Sequence, residues 1–86
     1  MSAAVDGFIS ELLGSEFAEQ AEQFRKALIA VDEEGDSNPS AAGFYETALY
    51  VISNRHHTLQ ERIAKLDELI HRKGVQAGTI RAIVGW

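Results

Sequence analysis

The sequence contains no cysteine and a single proline. The absence of cysteine excludes disulfide bonds, thiolate zinc sites, iron–sulfur clusters and a cysteine nucleophile. The longest apolar runs are a few residues, far below the roughly 20 residues that cross a bilayer. The first residues show neither a basic segment nor a long apolar run, so we expect a cytoplasmic protein without a signal peptide.

The composition is that of one folded domain. The chain has 86 residues, of which 45% are hydrophobic and 24% are charged, so we expect a single helical domain over residues 1–86. A core of this size is only marginally sufficient, and oligomerisation is a common remedy in such short chains. We therefore expect the protein to form a homodimer.

Charge is unevenly distributed along the chain, whose net charge is −5. Residues 1–53 carry two basic and ten acidic residues, whereas residues 54–86 carry six basic and three acidic residues. One interpretation is that acidic and basic helices lie side by side, within or between subunits. The other is that the basic half meets an acidic partner such as nucleic acid.

The first apolar stretch predicts a helix over about residues 3–32. Its apolar residues recur at intervals of three and four, which is the pattern of one helix face. Ser2 is a suitable N-cap, and the apolar spacing slips at Gly14-Ser15, so this helix either continues or breaks there. The apolar residues are Val5, Phe8, Ile9, Leu12, Leu13, Phe17, Ala21, Phe24, Leu28 and Val31.

An acidic loop over residues 32–40 follows, in which Gly35 is expected to end the first helix and Asn38-Pro39 to begin the second. The second helix is predicted over about residues 39–73, and a short tail helix over about 77–85. We expect His56 to lie on the apolar face of the second helix and its neighbour His57 to be solvated. That face comprises Tyr45, Leu49, Ile52, His56, Leu59, Ile63, Leu66 and Ile70.

These patterns predict an all-α fold: an antiparallel, coiled-coil-like two-helix hairpin with a short third helix, which forms a four-helix bundle as a dimer. The apolar stripe is larger than one hairpin covers. The leading hypothesis is therefore a protein-interaction module that contacts a protein partner or itself, and not a membrane, through its apolar helix faces. The expected partner-binding residues are Phe8, Leu12, Ile80, Ile83 and Trp86.

No arrangement of residues typical of catalysis is visible. The serines lie in no nucleophile motif, and no glycine-rich phosphate loop occurs. Glu68 and His71 have the i,i+3 spacing of ligands in di-iron bundles, and His57 and Glu61 are spaced i,i+4, but adjacent cations disfavour a metal at the first pair. We expect no enzyme activity, no cofactor and no metal.

The segment from Leu66 to Val84 resembles the helix-turn-helix of bacterial repressors. Its apolar Leu69, its turn at Gly74-Val75 and its Thr79-Ile80-x-x-Ile83 carry the resemblance, whereas Ile70, Lys73 and Gly78 depart from the family pattern. The resemblance implies an alternative function as a DNA-binding transcriptional regulator. It implies that Gln76, Thr79 and Arg81 face the major groove.

A second resemblance rests on architecture alone. Two helices around the loop Ser37-Asn38-Pro39, at this length, look like the needle and small-chaperone proteins of type III secretion systems. They also look like small helical anti-activators that sequester transcription factors. Both likenesses imply binding to another protein, and neither assigns a role to a particular residue.

Overall fold

The computed structural model describes residues 2–71 and residue 86. Within them lie four α-helices, α1 (Ala3–Leu13), α2 (Ala21–Gly35), α3 (Pro39–Ser53) and α4 (Leu59–His71), with a short 3-10 turn at Ala18–Gln20. The all-α class predicted from the sequence is confirmed. None of these helices is both long enough and apolar enough to cross a bilayer.

The helices begin where capping side chains predict. The Ser2 hydroxyl accepts a hydrogen bond from the Val5 N–H at 3.2 Å, which satisfies one of the free donors at the start of α1. Asn38 does the same for α3, accepting from the Ser40 N–H at 3.0 Å, and Pro39 occupies the first turn. Both of these predicted helix starts are confirmed.

The first predicted helix is broken at Gly14. Residues 14–17 form turns, and the Ser15 hydroxyl accepts from the Phe17 N–H while donating to the Leu12 carbonyl. The 3-10 turn then leads into α2, which runs through residues 32–35. The predicted loop over residues 32–40 is therefore shorter in the structure, where residues 36–38 separate α2 from α3.

The continuous second helix predicted over residues 39–73 is corrected by the structure, because α3 ends at Ser53 and α4 begins at Leu59. The Asn54 side chain accepts from the His56 N–H, which stabilises a turn in place of another helical residue. Thr58 and Glu61 then form a capping box: the Thr58 hydroxyl accepts from the Glu61 N–H at 3.1 Å, and the Glu61 carboxylate accepts from the Thr58 N–H at 2.8 Å.

Four shorter helices give a compact body. Its longest extent is 33 Å, whereas an unbroken helix of about 34 residues would measure roughly 50 Å. The most extensive contact joins α2 and α3, and α1 packs on both, while α4 packs on α3. Phe8 of α1 meets Phe24 of α2 edge to face, with ring centroids 6.3 Å apart.

Gly35 allows α2 and α3 to approach closely. A Cβ added at Gly35 would lie 3.2 Å from the Ala42 Cα. Gly35 is the last residue of α2, and Asp36 after it keeps right-handed helical angles. Gly35 thus ends α2, as predicted, and its small size permits the close helix crossing.

Candidate interaction surface

The described members of the predicted partner-binding set lie inside the fold. Phe8 and Leu12 are 1% and 0% exposed, and both belong to the core that α1 shares with α2 and α3. Trp86 is half-buried against the same core. Ile80 and Ile83, with the predicted tail helix, lie outside the described residues, as do Gln76, Thr79 and Arg81 of the DNA-binding alternative.

Two other large apolar side chains stand at the surface. Among the described residues, Leu13 is 62% exposed and Tyr50 is 49% exposed. Leu13 is the last residue of α1, and Tyr50 lies in the last turn of α3. Leu13 was predicted as part of the apolar face of the first helix. Spacing alone does not separate it from Leu12, because the adjacent Phe8 and Ile9 of the same helix are both buried.

The exposed pair lies at one end of the body. Glu11, two residues before Leu13, pairs with Arg55, two residues after α3, at 2.5 Å between Oε1 and Nη1. This contact places the carboxyl ends of α1 and α3 side by side. Leu13 and Tyr50 therefore lie toward the same end of the body, and we call these two exposed residues the Leu13–Tyr50 surface.

A buried arginine, Arg62, links three helices at this end of the molecule. Arg62 of α4 is 4% exposed, and its two terminal nitrogens donate to the two Glu11 oxygens at 3.0 and 3.3 Å. It also donates to the Ile52 carbonyl at 2.9 Å and to the His57 carbonyl at 3.3 Å. The planar guanidinium thus joins α4 to α1 and satisfies a carbonyl in the last turn of α3.

Electrostatics at Glu11 follow from this geometry. The hydrogen bond from the Arg62 guanidinium lowers the pKa of the Glu11 carboxyl, burial opposes that shift, and the charges of Arg62 and Arg55 reinforce it. Here a carboxylate of the acidic half meets two arginines of the basic half. Within this chain, the two halves of opposite net charge therefore meet at Glu11, Arg55 and Arg62.

The loop between α3 and α4 reverses the expectation for its two histidines. His56 is exposed, because helix α3 ends before it, and does not lie on an apolar face. The ring of His57 is instead half-buried and stacks on the Trp86 indole, with centroids 3.8 Å apart and planes within 8° of parallel. Its Nε2 contacts the Trp86 carbonyl oxygen, and its Nδ1 lies 3.6 Å from the Glu61 carboxylate.

The capping box that begins α4 is the signal that the sequence analysis missed. Thr58-Leu-Gln-Glu61 has the spacing of this motif, and it marks a helix start in the middle of the predicted second helix. The hydrogen bond from the Thr58 backbone N–H lowers the pKa of Glu61, with the Thr58 hydroxyl and His57 as smaller contributors.

An acidic cleft of about 180 Å³ lies at the other end of α2 and α3. The Tyr45 hydroxyl beside it is buried and has no hydrogen-bond partner. No group of three acidic or histidine residues in residues 2–71 and 86 is arranged to hold a metal. The cleft is lined by Asp32, Gly35, Asp36, Ala42, Tyr45 and Glu46.

The residues with metal-ligand spacing lie on the surface of α4. Glu68 and His71 are both exposed; Glu68 pairs with Lys65 at 3.3 Å, and the Nδ1 of His71 bonds the Asp67 carbonyl at 2.8 Å.

Comparison of the chain with protein-family models, with curated proteins and with solved structures finds no match.

Proposed function

We propose that this chain is a small, non-enzymatic protein-interaction module that associates with a second copy of itself through the Leu13–Tyr50 surface. The observation that carries the proposal is the exposure of Leu13 and Tyr50, at 62% and 49%, at one end of a body whose other large apolar side chains, among the described residues, are buried or half-buried. Covering these two side chains is favourable because apolar surface removed from water contributes about 25 cal/mol per square ångström.

A two-fold symmetric contact suits this surface. In such a dimer the same patch occurs on both subunits, so two exposed apolar residues become four that shield one another. Leu13 is followed directly by the turn at Gly14, and no further helical turn of α1 lies beyond it. The carboxyl ends of α1 and α3 from two copies would then pack together as four helices.

The hydrogen bonds of Arg62 hold the helix end that carries Leu13 in place. Arg62 and Arg55 both bind Glu11, which lies one helical turn at most from Leu13. A surface whose backbone is held in place loses little conformational entropy when a partner covers it. Association also buries additional apolar area, which stabilises the protein because a single chain of 86 residues buries little of it alone.

The test is the mass of the protein in solution. Light scattering after gel filtration, at several hundred micromolar chain, is expected to give twice the chain mass. The double variant Leu13→Ser/Tyr50→Ser is expected to give the mass of one chain, with unchanged far-ultraviolet circular dichroism, because both side chains lie outside the core.

The matched control changes two exposed residues on the same helices, Asp6→Ser in α1 and Glu46→Ser in α3. It is expected to stay dimeric. A monomeric wild type at this concentration would refute the proposal. So would a dimer that survives the Leu13/Tyr50 substitutions, or one that the control substitutions disrupt equally.

A further inference from the structure

We infer that the loop between α3 and α4 forms a docking site for an aromatic ring, held in this structure by Trp86, and that the charge of His57 controls its occupancy. The site consists of the His57 ring, which stacks on the indole, and of the His57 Nε2, which contacts the Trp86 carbonyl oxygen. It shares no residue with the Leu13–Tyr50 surface and does not depend on the proposed function.

The site is built by the backbone of the loop. The His57 N–H donates to the Asn54 carbonyl at 3.3 Å, and the His57 carbonyl accepts from the buried Arg62 at 3.3 Å. Arg62 in turn binds Glu11 and the end of α3. The imidazole is therefore presented from a loop that is anchored on both sides, which favours a specific stacking geometry over a transient contact.

Both ring nitrogens of His57 are engaged when Trp86 is docked. Nε2 contacts a carbonyl oxygen, which needs an N–H donor, while Nδ1 lies 3.6 Å from the Glu61 carboxylate, which favours a positive partner. A neutral imidazole carries one N–H, whereas an imidazolium carries two. A positive ring is also attracted by the face of an indole.

The charged groups around the site act on the His57 ring in opposite directions, and Glu61 makes the direct contact. Glu61 of α4 faces the ring and favours its positive form. Arg62 of α4 and Arg55 of the loop both bind Glu11 of α1, and this group of three keeps one positive charge, which opposes a positive charge on His57. His56 is exposed in the same loop. Because both ring nitrogens face oxygen atoms, protonation of His57 tightens docking and loss of that proton weakens it.

Trp86 is the single tryptophan of the chain, so its fluorescence reports the site directly. Acrylamide quenching, corrected for lifetime, is measured at pH 5.5 and at pH 8.0. We expect the quenching constant to be at least twofold smaller at pH 5.5, with circular dichroism unchanged between the two values. His57→Gln is expected to give the larger constant at both pH values.

The matched control is His56→Gln, which alters the adjacent, exposed histidine and is expected to behave as the wild type. Glu61→Gln is expected to reduce the difference between the two pH values. A wild-type constant that does not change with pH overturns the inference. A pH effect that persists in His57→Gln, or that disappears in His56→Gln, overturns it equally.

Discussion

Replacement of Glu11 by glutamine tests how much the Arg62 network contributes to stability. The substitution keeps the size of the side chain and removes the charge that faces Arg62. The Arg62 side chain is 5% exposed, so its guanidinium would remain buried with the Ile52 and His57 carbonyls as its other acceptors. A buried charge that loses its partner is costly because water cannot replace the lost interaction.

The size of the effect follows from the exposure of the pair. Removing one partner of a fully buried ion pair costs about 3–5 kcal/mol, whereas a fully exposed pair contributes about 0–1 kcal/mol. The Glu11 side chain is 28% exposed, which places this pair between the two limits. We expect a loss of about 2 kcal/mol, and hence a fall in Tm of about 8–16 °C for a domain of this size.

The assay is urea unfolding followed by circular dichroism, with Glu33→Gln as a control that removes the same charge at an exposed position of α2. The control is expected to stay within about 0.5 kcal/mol of the wild type. A Glu11→Gln protein as stable as the control would contradict the argument, because the two carbonyls alone would then compensate the buried charge.

The same variant has a defined pH dependence. The pKa of Glu11 is lowered in the folded chain, chiefly by its hydrogen bond to Arg62, so its contribution is complete above the ordinary value of 4.5. That contribution is lost as the pH falls below 4.5 through the lowered pKa, because protonation removes the charge. Stability should therefore fall less steeply in acid for Glu11→Gln than for the wild type.

Four further changes test other parts of the chain. Thr58→Ala removes the cap of α4 and should lower the free energy of unfolding in urea by about 1 kcal/mol. Thr58→Ser keeps the hydroxyl and should retain the stability of the wild type. Gly7→Ala, in an exposed turn of α1 with nothing within 4 Å of the added Cβ, should stabilise by about 0.5–1 kcal/mol. Gly35→Ala should give no such gain, because its Cβ would press on the α3 backbone, and equal gains at both positions would contradict the close crossing. If the DNA-binding alternative holds, Arg81→Glu should abolish a salt-dependent shift of duplex DNA, whereas no binding by the wild type at low salt would exclude that alternative.

Sequence patterns predicted the helical class and some of the local features, but not the capping box at Thr58. Ser2 and Asn38-Pro39 are capping residues whose effect depends on a few neighbouring atoms, so the sequence alone locates them. The slip of the apolar spacing at Gly14 likewise marks a real break. These features are local, and local features need no knowledge of the rest of the fold.

The buried face of the second half was harder to predict. The predicted face joined Tyr45 to Ile70 through His56, which requires one continuous helix. In the structure Ile52, Ile63 and Leu66 of that predicted face are buried. The buried face of α3 also includes Ala41, Phe44, Ala48 and Val51, and Tyr45 and Leu49 are half-buried beside it. Two apolar stripes lie side by side on this helix, so spacing alone does not decide between them; the helix break does.

The candidate surface depends on the tertiary fold and could not be obtained from spacing. Leu12 and Leu13 are the same residue type at adjacent positions, yet one is 0% and the other 62% exposed. Arg62 appeared as an ordinary basic residue of the second helix, and its burial depends on Glu11, which is distant in the sequence. Likewise, the contact between His57 and Trp86 joins residues 29 positions apart.

The bond between Glu11 and Arg62 joins residues 51 positions apart, so it bears on how the chain reaches its native state. During synthesis α1, α2 and α3 are complete before Arg62 has been added, and until then the Ile52 carbonyl and the Glu11 carboxylate lack this donor. Helix α4 therefore closes the fold. If α4 detached, Glu11 of α1 and the Ile52 carbonyl of α3 would both lose their hydrogen bonds to Arg62. We therefore expect the slowest-exchanging amides of α1, α2, α3 and α4 to exchange through one cooperative opening.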